Sequence, residues 1–190
     1  MTNETREQWL HRAVEALTPM FRDIGETVPT VRVSVGFPGG KSFRKVVGQC
    51  WSTAASSDGV SQIFVTPLRG GDHTIEVLGT LLHELIHAVD DCASGHRGNY
   101  VRIARSLGLT SPWTSTTIGP ESHDQLAALA EELGAFPNAA MNPGEGVVKK
   151  QTTRMLKIAC PGCGWTARTT AKWIEHGLPT CPCGDLMEVA

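Results

Sequence analysis

Residues 80–100 read TLLHELIHAVDDCASGHRGNY, which sets two histidines four positions apart in an otherwise apolar stretch. Leu81, Leu82, Leu85, Ile86, Ala88 and Val89 are apolar nearly all round a helix, and this marks a buried one. A buried helix that carries His83, Glu84 and His87 must find partners for three polar groups, each costing about 1–3 kcal/mol if left unpaired. No other feature of the chain restricts its fold as much.

Residues at i and i+4 stack on one helical face, so His83 and His87 can grip a single ion. Glu84 lies about 100° round the helix from His83, near enough to reach a water on that ion without ligating it. Zinc hydrolysis needs this disposition. The motif HExxH fixes only three residues, and a single histidine taken alone reads better as a core residue satisfied by a carbonyl or carboxylate. It is the trio in one apolar helix that favours the shared ion.

A catalytic zinc needs a third protein ligand and an open position. His96 is the best placed, because Ala93, Ser94 and Gly95 are small enough for the chain to reverse after the helix and bring it back. Glu121, His123 and Asp124, at the start of a later helix, are its rivals.

The pattern along the chain is α+β. A first amphipathic helix is expected over 4–17, with Trp9, Leu10, Ala13, Val14 and Leu17 on one face and Pro19 ending it. Three strand-like runs follow, VRVSVGF (31–37), FRKVVGQCW (43–51) and SQIFVTPL (61–68); the first two suggest a hairpin and all three a small sheet. Helices are expected over 74–90, 97–107 (closed by Gly108) and 124–134, with 111–122 a loop. Proline, glycine and asparagine mark 138–150 as a linker between a main domain, 1–137, and a small module, 151–190.

In the module, Cys160 and Cys163 form CPGC and Cys181 and Cys183 form CPC. A zinc ribbon has two residues within each pair, and the second pair here has one. Four thiolates round a closed structural zinc is the reading, with His176 able to replace Cys183, because so small a module needs a staple. Cys50 and Cys92 read as small, buried, inert thiols.

Net charge is -2, unevenly spread. From 147 onward Lys149, Lys150, Arg154, Lys157, Arg168 and Lys172 outnumber Glu175, Asp185 and Glu188, which leaves the rest of the chain acidic. Nucleic-acid affinity is therefore expected in the module, where Trp165 and Trp173 suit stacking on single-stranded DNA. The alternative is that both tryptophans are the module's core. No apolar run approaches the roughly 18 residues of a membrane span, and the opening MTNETREQWLHRAVEAL lacks the pattern of a secretion signal. The expectation is a soluble cytoplasmic protein with no membrane partner.

HELIHA followed by GHRGNY resembles the SprT-like (Spartan-type) zinc metallopeptidases, whose pattern is HExxH, then a Gly-His-Gly segment and an aromatic residue. This chain has Gly95, His96, Arg97 and Gly98, with Tyr100 two residues later, so the spacing agrees approximately. In length it is similar to versions carried by bacteriophages and actinobacteria, which would place it in the host cytoplasm if phage-encoded. The resemblance implies a zincin-like α+β domain, its small three-stranded sheet packed on helices that include the HExxH helix. It also implies His83, His87 and His96 on a catalytic zinc, Glu84 as general base, and protein substrates bound to DNA. With the ribbon, the chain would hold two zinc ions. The rival class is a non-catalytic zinc-containing factor that binds DNA or protein.

Overall fold

In a computed structural model, which describes residues 4–37, 45–142 and 155–190, the protein is a mixed α+β chain in two compact units, Met1–Asn142 and Pro143–Ala190. The first unit opens with α1, Arg6–Asp23, started by a reciprocal cap. The Thr5 hydroxyl accepts from the Gln8 backbone N–H at 3.2 Å while the Gln8 side chain accepts from the Thr5 N–H at 2.9 Å. Pro19 does not end this helix but lies inside it. An interior proline forfeits one backbone bond, roughly 3 kcal/mol. Its ring is on the solvent side, and continuing the helix buries Phe21 completely, which offsets much of that loss.

The sheet contains β1 (Val31–Val35), β2 (Gly48–Trp51) and β3 (Ser61–Val65) in the order β1-β3-β2. β3 runs parallel to β1 and antiparallel to β2, so the expected hairpin between the first two runs does not form. The physical reason is burial. β3 contributes Ile63 and Val65, both almost fully buried, and takes the centre, while β1 and β2 flank it with Arg32 and Gln49 among their residues. Residues 43 and 44 of the second run lie outside the described residues. The third run stops at Val65, just before Pro67, which has no N–H for a ladder.

The long helix α2, Thr74–Val89, agrees with expectation, and Leu78, Leu81, Leu82, Leu85 and Ile86 are fully buried. It packs on β2 and β3 while α1 packs on β1, and together they enclose a core that includes Val33, Ile63, Val65 and Tyr100. α3 is Gly98–Ser106, followed by Gly108 at φ +73°. The expected loop over 111–122 is more ordered than its composition suggests. Two short strands, β4 (Leu109–Thr110) and β5 (Thr117–Ile118), pair across a tight turn at Trp113–Ser115. α4 then runs Pro120–Leu133, starting four residues early because proline suits the first turn of a helix.

Residues 138–142, expected in the linker, belong by their contacts to the first unit. The Arg6 guanidinium donates to the carbonyls of Pro137 (2.9 Å) and Ala139 (2.5 Å), and the Met141 N–H to that of Pro67 (2.8 Å). The remaining linker positions, 143–150, lie outside the described residues.

In the second unit β6 (Met155–Ala159) pairs with β7 (Thr166–Thr170) and β8 (Glu188–Val189), and a single helical turn, α5 (Ala171–Ile174), follows β7. Its interior is Ile158, Cys160, Cys181 and Met187, with Ala167, Ile174 and Leu178 against them. Trp165 and Trp173 are 49% and 61% exposed, so they are not the module's core. Among the described residues, two of the four buried members of this cluster are cysteines and neither indole joins it. Among the described residues no helix is long and apolar enough to cross a membrane.

Candidate metal centres

α2 puts His83 and His87 on one face, as their spacing requires. Beyond its last turn the chain reverses through two left-handed residues, Asp91 (φ 46°) and Cys92 (φ 58°), and then Gly95 (φ 55°). The reversal is pinned by Asp90, whose carboxylate accepts from Ser94 N–H at 2.7 Å, the Ser94 hydroxyl at 3.1 Å and Asn99 Nδ2 at 3.0 Å. The result is that His96 Nε2 lies 3.2 Å from His83 Nε2 and 3.1 Å from His87 Nε2. Three nitrogens about 2.0–2.1 Å from a tetrahedral zinc would be about 3.3–3.4 Å apart, so this donor set fits such an ion. Together these three residues can hold a metal ion.

Electrostatics point the same way. Burial, and then the neighbouring His87 and His96, push His83 down to about 3, and burial with His96 pushes His87 down to about 4. Burial also lowers His96. All three imidazoles are therefore neutral at pH 7, the state a ligand needs.

Glu84 is 6% exposed, and burial pushes its carboxyl up to about 8 against the lowering pull of the Cys50 backbone N–H. Its place depends on Gly48 of β2, where a Cβ would come within 2.6 Å of Glu84 Oε1 and 2.9 Å of its Cγ. Thus the edge strand both leaves room for the carboxyl and donates to it. Tyr100, fully buried, stacks on His87 with ring centroids 4.4 Å apart, and its hydroxyl is 2.6 Å from His83 Nδ1. The Thr116 hydroxyl is 2.9 Å from the same nitrogen. Gly48, Glu84, Thr116 and the three histidines border a cleft of about 740 Å³ between β2, α2 and the 114–118 segment, with Tyr100 buried behind them.

Glu121, His123 and Asp124 are exposed on the first turn of α4 and join no ligand cluster. Cys50 and Cys92 are half-buried rather than buried; they line the cleft together, with Cys92 Sγ 3.7 Å from the Cys50 carbonyl, and burial raises both thiols. Tyr100 is the aromatic residue that follows the Gly-His segment in the sequence, and its place here is against the ligand rings. Gly48, Thr116 and this thiol pair are neighbours of the site that sequence reasoning does not identify; they come from three separate segments, and no local spacing signals their convergence.

The cysteines form the second cluster. Cys160 Sγ is 3.5 Å from Cys183 Sγ, and Cys163 Sγ is 3.5 Å from Cys181 Sγ. Sulfurs about 2.3 Å from a tetrahedral zinc would be about 3.8 Å apart, so this set also fits. Each pair sits on a turn closed by a left-handed glycine. Gly164 (φ 75°) donates to the Cys160 carbonyl at 3.0 Å and Gly184 (φ 104°) to that of Cys181 at 2.8 Å. Gly184 explains how a pair with a single intervening residue still converges. The Cys163 N–H, 3.5 Å from Cys160 Sγ, leads in pulling that thiol down to about 7. His176 is exposed beside Trp173 and outside the cluster, and the fourth member of the group that could hold an ion is Cys183.

No protein-family model, curated protein or solved structure matches this chain.

Proposed function

We propose that the protein is a zinc-dependent metallopeptidase of the SprT-like kind, with a zincin-type main domain and a zinc ribbon that directs it to proteins on DNA. One observation carries this reading: the Nε2 atoms of His83 and His87 lie 3.2 and 3.1 Å from that of His96, all three imidazoles neutral, while the Glu84 carboxyl borders the same cleft. A structural zinc is closed by four protein ligands, and among the described residues this cluster offers three. That favours catalysis over the rival reading of a non-catalytic binding factor.

His83, His87 and His96 would hold a zinc ion, which would supply Lewis acidity to a scissile carbonyl and to an attacking water. Glu84 takes a proton from that water and passes it to the departing amine. To accept that proton the carboxyl must start ionised, a form that burial opposes and that a dication on the three imidazoles would favour. The substrate is a polypeptide segment laid along β2, which among the described strands is an edge of the sheet. Because Val47 accepts from the Thr66 N–H on the β3 side, Gly48 turns its backbone groups away from β3, whereas the Cys50 N–H is given to Glu84 and the Cys50 carbonyl faces Cys92 Sγ. Backbone pairing of this kind imposes little sequence preference.

The ribbon's part rests on its surface. Lys157 and Arg168 sit directly opposite one another across β6 and β7, Lys172 lies 5.4 Å from the Trp173 ring, and Trp165 and Trp173 are exposed. Bases beside open aromatic faces suit single-stranded DNA.

Metal analysis tests the reading. The wild type should hold two zinc ions per chain, one lost in His87→Ala and the other in Cys163→Ser. A single ion that depends only on the cysteines would remove the enzyme.

A further inference from the structure

We propose that the 109–118 hairpin is the positioning element of the histidine centre, seated on α2 through Ile118 and delivering the Thr116 hydroxyl to Nδ1 of His83. This rests on the metal-binding reading of His83, His87 and His96 given above.

The seat is a notch in α2. Gly79 lies one turn before His83, and a Cβ there would come within 2.6 Å of Ile118 Cδ1 and 3.0 Å of its Cγ1. Ile118 therefore occupies the space where α2 has no side chain, and from there it packs against the main core. The other end of the hairpin is held by α3, whose Arg105 guanidinium lies 5.2 Å from the Trp113 ring centroid. Between these anchors the strands are tied by a 2.7 Å contact between the Thr110 and Thr117 hydroxyls and by the Gly119 N–H on the Gly108 carbonyl at 3.0 Å. Thr116 is two residues from the seat and three from Trp113, so its position relative to α2 is fixed from both sides.

What it delivers is an acceptor. An imidazole that ligates through Nε2 carries its ring proton on Nδ1, and the group that receives this proton sets the tautomer and the ring plane. Thr116 Oγ1 stands 2.9 Å from that nitrogen, next to Tyr100 Oη at 2.6 Å. Two hydroxyls from two different elements thus face the single Nδ1 proton, and the Thr116 and Tyr100 side chains are hydrogen-bonded to each other. A threonine present only for packing would be replaced by valine without consequence, since the two have nearly the same shape.

The test is the zinc affinity of the full-length protein, measured by competition with a chromophoric chelator, with the ribbon's ion in the same chain as internal reference. Thr116→Val should weaken the histidine site about 10-fold, within the range for lost ligand-orienting partners, and leave the cysteine site unchanged. Thr116→Ser, which keeps the hydroxyl, should bind close to wild type. Gly79→Ala, whose added methyl meets the tip of the Ile118 side chain, should weaken the site by no more than Thr116→Val does, and the double variant should be no weaker than Thr116→Val alone, because both act through one contact. Wild-type affinity in Thr116→Val, a Thr116→Ser variant as weak as Thr116→Val, or additive losses in the double variant would each overturn the hairpin's role while leaving the peptidase reading standing. A wild-type histidine site that takes no zinc at all would end both.

Discussion

The two ligand clusters of this chain are built in opposite ways. The cysteine cluster is local: its four members come from two short turns, and two of them, Cys160 and Cys181, belong to the buried interior of the second unit. The histidine cluster is assembled at a distance. α2 supplies two donors, the reversal after it supplies the third, and β2, α3 and the 109–118 hairpin contribute Gly48, Tyr100 and Thr116 around them. A site that forms its own core depends on its ion for folding. A site placed on an independent core does not, and is free to leave one position of its ion open.

Metal removal should separate the two regions most widely. Structural zinc contributes an apparent 10–16 kcal/mol, roughly, to modules of the ribbon type, whereas the first unit has an extended apolar core from Trp9 to Phe136. In zinc-stripped full-length protein, amide exchange should show the 155–190 region unprotected and α1, α2 and β3 still protected. Simultaneous loss of protection in both units would erase the contrast.

A smaller effect should appear in the pH dependence of the zinc-stripped first unit. Glu84 holds its proton up to about 8 when folded, against 4.5 when unfolded, so its contribution is fully present below pH 4.5 and is lost as pH rises through 8. His83 and His87 work in the other direction. Lowered from 6.5 to about 3 and 4, they contribute stability above pH 6.5 that is lost as pH falls through 4 and then 3. Urea midpoints measured from pH 5 to 9 should therefore fall on the alkaline side in the wild type, and Glu84→Gln should flatten that fall. An unchanged alkaline limb in Glu84→Gln would mean that the carboxyl is not the titrating group.

The least difference is expected on the ribbon's surface. Only some of its bases can face phosphates at once, so affinity for single-stranded DNA should fall with salt on a shallow log–log slope, about -2 to -4. Deleting 147–190 should abolish this binding while cleavage of a short peptide persists. Equal binding by the truncated chain would move the nucleic-acid surface to the first unit.

Legibility in the sequence follows the same division. The cysteines are readable because their spacing is their geometry, although the shortened second pair depends on Gly184, and the indoles look like core until the small interior is seen. His83, Glu84 and His87 are readable because helical periodicity fixes their faces, and His96 because the small residues before it allow a reversal. What could not be read is everything brought in from elsewhere. Gly48 resembles any strand glycine until the Glu84 carboxyl occupies its missing Cβ, and Thr116 resembles any loop threonine until Ile118 seats the hairpin. Strand order was lost for a related reason: burial on β3, rather than proximity in the chain, decides which strand is central. Pro19 misled because local propensity yielded to the packing of Phe21.

The central claim is that the histidine cluster is a catalytic centre with Glu84 as its base, and Glu84→Gln tests it most directly. The substitution keeps the side chain's shape and all seven ligands but removes the proton acceptor. Cleavage of an unfolded protein substrate should be measured beside zinc content. The account predicts two zinc ions per chain, an intact fold and loss of essentially all peptide-bond hydrolysis; cleavage at the wild-type rate by a fully zinc-loaded Glu84→Gln protein would contradict it.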